Sequence, residues 1–135
     1  MNRYAKSGLV LMLIAVHGLC GCSPQGRLAR QIAKADRVVL TNAYQGFSIS
    51  VTGSEARRIV RAVSSARKLP PNATSSVEFR TEFYRGTNLL GAVVGCGRGF
   101  GVDGIGYDDN SGALQALYER YQGQHFNPVS HGHYP

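Results

Sequence analysis

The chain has 135 residues, which leaves room for one small domain and excludes a multidomain protein. Its 15 Lys and Arg residues exceed its 8 Asp and Glu residues and give a formal charge of +7. Three cysteines and four histidines show no spacing that would close a zinc site. We therefore predict no metal site, no cofactor and no catalytic residues.

The first 22 residues have the organisation of an export signal. Arg3 and Lys6 precede an unbroken apolar run, LVLMLIAV, at 9–16, and small residues follow near a cleavage site. An apolar run of this length spans only about 12 Å as a helix, whereas the hydrocarbon core of a bilayer is about 30 Å thick. The pattern therefore predicts a signal peptide rather than a permanent transmembrane helix.

The end of this signal, Leu19-Cys20-Gly21-Cys22, resembles the lipobox of bacterial lipoproteins. The resemblance implies that the Cys22 thiol receives a diacylglycerol, that residues 1–21 are removed, and that the new amino terminus is often acylated as well. Several acyl chains on one cysteine make a lasting membrane anchor, since a single chain binds only marginally. Residue 23 is serine rather than the aspartate linked to inner-membrane retention, which favours the outer membrane, facing the periplasm.

Lipidation at Cys22 also decides the state of the last cysteine. Cys20 leaves with the signal, so Cys96 has no disulfide partner within the mature chain. We predict that Cys96 is a buried small residue, because a reactive thiol would need a basic, partly exposed setting. Modification of Cys20 instead would permit a Cys22–Cys96 bridge, but Leu19 would then occupy the position where the lipobox has a small residue.

Export restricts the partners of the protein. Loss of Arg3 and Lys6 leaves 13 basic and 8 acidic residues, a charge of +5, in the mature chain. An exported protein does not meet nucleic acid, and we predict none as a partner. The excess charge either rests against anionic lipid headgroups or forms a solvated basic surface, which is the commoner case.

Residues 23–71 predict a short helix, a β-hairpin and a longer helix. The segment 23–36 has near-helical apolar spacing, and 37–41 and 47–52 are two β-rich runs separated by turn formers. The longer helix shows the most regular pattern, because its apolar residues recur three and four apart: Ala56, Ile59, Val60, Val63 and Ala66. Thr52 and Glu55 have the spacing of a capping box, with Ser54 as an alternative cap, and Pro70-Pro71 stop the helix.

The outer side of that helix is basic, with Arg57, Arg58, Arg61 and Lys68. It is either a stripe that docks on a membrane or partner, or the solvated side of the helix, and the second interpretation is the commoner.

A second hairpin follows at 76–97, with its turn at Gly86-Thr87-Asn88. Alternation places Glu78, Arg80 and Glu82 on one face of its first strand. Alternating opposite charges usually form solvated cross-strand pairs. The alternative interpretation is acid–base chemistry or ligand sensing by these three residues together with Cys96.

The stretch 95–106, GCGRGFGVDGIG, contains the G-x-G-x-x-G pattern of a dinucleotide-binding turn at 99–104. A helix must open directly on such a turn, but the turn-like sequence IGYDDNSG follows. We instead predict a long bent strand, or a pair of short strands, with a bare glycine face that lets a helix or another backbone approach closely.

The last part of the chain predicts a helix and a tail. Asp108, Asn110 and Glu119 match an EF-hand count, but Ala113 occupies the place of the required glycine. Asn110 or Ser111 is more simply the N-cap of a helix with an apolar stripe comprising Ala113, Leu114, Leu117, Tyr118 and Tyr121. The three histidines of the mature chain, His125, His131 and His133, fall in a predicted flexible tail. Such a tract can bind a metal weakly, and metal handling by this tail is a third possible function.

The sequence therefore predicts an α+β protein with element order β-β-α-β-β(-β)-α after a signal helix. A small antiparallel sheet of about 4–5 strands would carry two helices on one face. The predicted segments are the signal peptide at 1–21, a tether with a short helix at 22–36, a single domain at 37–122 and the tail at 123–135. Residues 32–121 resemble small uncharacterised bacterial lipoproteins, and this resemblance implies no activity. We expect a lipid-anchored, non-catalytic envelope protein that binds a protein partner or supports envelope structure.

Overall fold

The computed structural model describes residues 23–42, 44–71 and 78–125. The signal peptide, Cys22, His131 and His133 lie outside the described residues. In chain order the described elements are α1 (Pro24–Ile32), β1 (Arg37–Asn42), β2 (Ser48–Thr52), α2 (Gly53–Ser64), β3 (Arg67–Lys68), β4 (Phe79–Arg85), β5 (Asn88–Cys96), β6 (Gly99–Val102), β7 (Ile105–Asp108) and α3 (Ala113–His125).

The strands form one antiparallel sheet in the order β2-β1-β4-β5-β6-β7-β3. The predicted α+β class is therefore confirmed. The sheet has seven strands rather than the predicted 4–5, and the described residues contain three helices. The additional strands arise because two tight turns, at Gly97-Arg98 and Asp103-Gly104, fold the glycine stretch into β6 and β7, and because β3 pairs with the far edge of β7.

All three helices pack on the same face of the sheet. On β4, the Phe79 ring stacks on Tyr118 of α3 with a centroid distance of 4.7 Å and meets Tyr121 edge-on at 5.3 Å. On β5, the space beside Gly91 is occupied by Leu28 and Ile32 of α1. The helix α2 lies between α1 and α3 and buries the apolar stripe predicted from the sequence. This arrangement leaves the other face of the sheet without a helix from the described residues.

The first and second helices are joined by a side chain. The amide nitrogen of Gln25, at the start of α1, donates to the carbonyls of Val63 at 3.0 Å and Ala66 at 2.7 Å, where α2 ends. Helix ends leave such carbonyls without intrahelical partners. The contact therefore holds the start of α1 beside the end of α2, and the two helices run in opposite directions.

The predicted caps of the helices are only partly correct. Thr52 stands at the N-cap of α2 but makes no side-chain cap hydrogen bond, and Glu55 pairs with Arg120 of α3 at 2.7 Å instead of closing a capping box. At the start of α3, the Ser111 hydroxyl accepts from the Ala113 amide at 3.3 Å, as predicted for a cap, but the Asp109 carboxylate accepts from the Leu114 amide at 3.0 Å. Asp109 is 1% exposed and was missed by sequence reasoning.

Candidate functional site

The residues predicted as a candidate site lie together on the side of the sheet opposite the helices, called here the open face. Glu78, Arg80 and Glu82 alternate with the buried Phe79, Thr81 and Phe83, so they point away from the helices. Cys96 lies at the end of the adjacent β5 and is half-buried on the same side. The sequence therefore located this group of residues correctly on one surface.

Arg80, Glu82 and Tyr84 form a ladder along β4. The Arg80 Nε donates to Glu82 Oε1 at 2.7 Å, and the Tyr84 hydroxyl donates to Glu82 Oε2 at 2.7 Å. The Arg80 hydrogen bond lowers the pKa of Glu82, and the bond to Glu82 raises the pKa of Tyr84. The guanidinium of Arg37 lies 4.6 Å from the Tyr84 ring centroid, over its face. These shifts move both groups away from the neutral range that general acid–base catalysis requires.

Glu78 and Cys96 form the second pair of the open face. The Cys96 Sγ lies 3.1 Å from Glu78 Oε2, and both residues are partly buried. Reactive cysteines occur next to positive groups, whereas this neighbour is a carboxylate. The pair therefore suits a thiol that donates a hydrogen bond better than it suits a thiolate nucleophile.

Two arginines hold Asp108 at the far end of the sheet. Arg98 binds it with Nη2 at 2.7 Å and Nε at 3.2 Å, and Arg67 lies at 3.6 Å. The Arg98 hydrogen bonds lower the pKa of Asp108, and the same contact raises the pKa of Arg98. In the described part of the chain, no group of three or more His, Cys, Asp or Glu residues could hold a metal ion.

The outer surface of α1 and α2 is strongly basic. We call its exposed cations the basic face: Arg30, Lys34, Arg57, Arg58 and Arg61. A groove of about 290 Å³ lies between the two helices and is lined by Ala33, Ala35, Arg57, Val60 and Arg61. Lys68, which the sequence grouped with the stripe, is instead an exposed residue of β3, because the helix ends at Ser64.

Two buried hydroxyls were not anticipated from the sequence. Thr81 Oγ1 and the Tyr118 hydroxyl meet no hydrogen-bond partner among the described residues. Burial raises the pKa of Tyr118 to about 12. Tyr118 therefore remains a neutral phenol at physiological pH and contributes its ring to the stack on Phe79.

No helix in the described ranges is both long and apolar enough to cross a membrane. No family model matches the chain, and searches of curated proteins and of solved structures find no match.

Proposed function

We propose that the protein is a lipid-anchored, non-catalytic component of the bacterial envelope. The chain is exported, cleaved before Cys22 and held by lipid on that thiol, in the outer membrane and facing the periplasm. Its role is to bind a protein partner or to support envelope structure. The lipobox Leu19-Cys20-Gly21-Cys22 supports the anchor.

The non-catalytic part of the proposal is supported by one observation on the open face. Its acidic side chains have partners on the same face, since Arg80 and Tyr84 donate to Glu82 and the Cys96 thiol donates to Glu78. Catalytic acids and bases instead have pKa values tuned towards the working pH. A surface of paired charges suits recognition of another protein's surface.

The experiment that tests the anchor is intact-mass analysis of the mature protein from bacterial membranes. The natural chain should lack residues 1–21 and carry a lipid-sized mass increase. Cys22→Ser should lose this increase, whereas Cys96→Ser, a matched removal of one thiol, should retain it. An unmodified natural chain would contradict the proposal, and it would also reopen disulfide pairing of Cys96.

A second candidate is an enzyme or ligand sensor that uses Glu78, Arg80 and Glu82 with Cys96. The 3.1 Å contact between Cys96 Sγ and Glu78 Oε2 favours it, because it joins a thiol and a carboxylate on one surface. The rate of Cys96 alkylation by iodoacetamide tests this candidate. A folded chain that reacts faster than the urea-unfolded chain, and slows in Glu78→Gln, would support it. Slower reaction in the folded chain would favour the non-catalytic proposal.

A further inference from the structure

The excess positive charge of the protein is confined to one side of the fold. Residues 23–135 hold 13 Lys and Arg residues and 8 Asp and Glu residues. The segments 24–34 and 53–64, which contain α1 and α2, hold six of these cations and one of the acids. The remainder of residues 23–135 therefore holds seven of each sign. The whole net charge of +5 therefore belongs to these two segments, whereas the rest of residues 23–135 is balanced.

The cations of α2 are available to an outside ligand. Glu55, the one acid of the two segments, is paired with Arg120 of α3. Within the described residues, Lys34, Arg57, Arg58 and Arg61 form no ion pair. Unpaired guanidinium groups bind phosphate well, because their donors match two of its oxygens.

The groove between the helices has the composition of a phosphate site. Arg57 and Arg61 are four residues apart on α2, so they stand on the same side of the helix. Opposite them, Ala33 and Ala35 are small and leave a groove of about 290 Å³. Like charges at this spacing destabilise a helix, and an anion in the groove would remove that repulsion.

The first helix begins almost at the proposed anchor. Pro24 is the first residue of α1, and the Ser23 hydroxyl caps the helix by accepting from the Gly26 amide at 3.0 Å. Only one residue separates Cys22 from the helix, and one residue spans at most about 3.6 Å. A lipid on Cys22 therefore leaves no linker that would hold α1 away from the membrane.

We propose that the basic face lies against the membrane and that the groove at Arg57 and Arg61 holds the phosphate of an anionic phospholipid headgroup. This inference rests on the proposed lipid anchor. The helical layer then faces the lipid, and the open face points away from the membrane towards the partner. Each cation near an anionic surface contributes about 1 kcal/mol, so the basic face fixes the orientation of a domain that the anchor only tethers.

The test measures which face approaches the lipid. The lipidated protein, in a Cys96→Ala background, carries a fluorophore at Ser54→Cys on α2 or at Ser50→Cys on β2, since both serines are exposed. It is reconstituted in phosphatidylcholine vesicles with or without phosphatidylglycerol, together with a quencher attached to a lipid headgroup. We expect strong quenching at position 54, dependent on phosphatidylglycerol, and little at position 50.

Two variants with equal loss of charge separate the basic face, including its groove, from the net charge of the protein. Arg57→Gln/Arg61→Gln should lower the ratio of docked to undocked protein on the order of 30-fold, at about 1 kcal/mol for each cation. Lys68→Gln/Arg85→Gln removes two exposed cations outside the basic face and should leave the ratio nearly unchanged. Equal effects of the two variants would overturn docking through the basic face and its groove.

The remaining outcomes separate this inference from the anchor. Flotation with pure phosphatidylcholine vesicles reports the anchor alone. If the chain floats but position 54 is not quenched more than position 50, membrane docking is wrong, and an acidic protein surface becomes the ligand of the basic face. If the chain does not float, the anchor is wrong, and co-sedimentation of the unlipidated protein with phosphatidylglycerol vesicles, with the same two variants, decides for or against the basic face.

Discussion

Individual glycines of β5 set how closely a helix and a neighbouring strand approach it. A Cβ atom on Gly91 would lie 2.7 Å from Leu28 Cδ1, the end of a flexible side chain in α1. A Cβ atom on Gly95 would overlap the Gly99 carbonyl and lie 2.7 Å from Phe100 Cα, both of which belong to the backbone of β6. The glycine-rich stretch therefore acts through packing, and its two close approaches differ in how well they tolerate a side chain.

We expect Gly95→Ala to lower the free energy of unfolding by about 3 kcal/mol, because backbone atoms cannot move aside as a side chain can. Gly101→Ala in the neighbouring strand is the matched control, since its Cβ atom would meet no atom closer than 3.8 Å. Urea denaturation of both variants measures the difference. Equal stability of the two would contradict the proposed overlap.

The Asp109 side chain caps the start of α3. It accepts hydrogen bonds from the Ser111 amide at 2.8 Å, the Ser111 hydroxyl at 2.6 Å and the Leu114 amide at 3.0 Å. We expect Asp109→Ala to lower the free energy of unfolding by about 2 kcal/mol, at the upper end for lost caps. Asn110→Ala, next to it on the exposed surface, should change the stability little. Thermal unfolding compares the two variants. A larger loss of stability in Asn110→Ala would mean that Asn110 caps the helix, as one of the sequence-based predictions had it.

At the scale of elements, Gln25 couples two helices that the sequence predicts independently. Replacing it with alanine leaves the Val63 and Ala66 carbonyls without their partner, so we expect Gln25→Ala to lower the free energy of unfolding by about 1–2 kcal/mol. Gln31→Ala changes an exposed residue of the same helix and should lower the free energy of unfolding by only a few tenths of that amount. Denaturation curves test the pair, and equal losses would mean that the contact does not couple the helices.

The arginine pair around Asp108 makes the stability of β7 dependent on pH. The pKa of Asp108 is depressed by Arg98. Its stabilising contribution is therefore complete above the ordinary aspartate pKa of about 3.9 and is lost as the pH falls through the lower folded-state value. We expect Asp108→Asn to be less stable than the natural chain at pH 7, and the difference should shrink below about pH 4. Urea midpoints across this range measure it.

Asp103→Asn is the control for this titration, because the pairing of Asp103 with Arg27 is exposed and contributes little. If the difference in stability between Asp108→Asn and the natural chain stayed constant down to pH 2, the ionised Asp108 carboxylate would not be its cause.

Elements with a periodic sequence pattern could be predicted, whereas features that depend on contacts with residues distant in the sequence could not. The apolar stripe of α2 and the apolar residues of α3 are buried as their spacing predicts, since the periodicity of the local sequence determines which side of a helix is apolar. The two residues of β3 carry no periodicity and form a strand only through pairing with β7. Likewise, Glu55 has the spacing of a capping residue, but an arginine 65 positions later competes successfully for its carboxylate. The sequence also placed Glu78, Arg80 and Glu82 on one face of a strand, whereas the position of Cys96 beside them depends on strand register and their pairing on rotamers.

At the scale of the whole molecule, the division of charge should be visible in solution. Repulsion among the cations of α1 and α2 is screened by salt, so moderate salt should stabilise the natural chain. At low salt, Arg57→Gln/Arg61→Gln should be more stable than the natural chain by about 0.5 kcal/mol, the cost of a like-charge pair at this spacing. Thermal melts at two salt concentrations measure this.

Lys68→Gln/Arg85→Gln again serves as the control, since neither residue belongs to the basic face. If this variant gained the same stability at low salt, net charge rather than its position would be responsible.

The strand order β2-β1-β4-β5-β6-β7-β3 also bears on how the chain folds. Strands β4 to β7 form a meander whose neighbours are joined by two-residue turns, so their ladders can form locally. The first strand joins β4, and β3 joins β7, across separations of about 40 residues, and such closures slow folding. We therefore expect the meander to form first. Docking of β1 with its hairpin partner on one side, and of β3 on the other, should complete the sheet in later and slower steps.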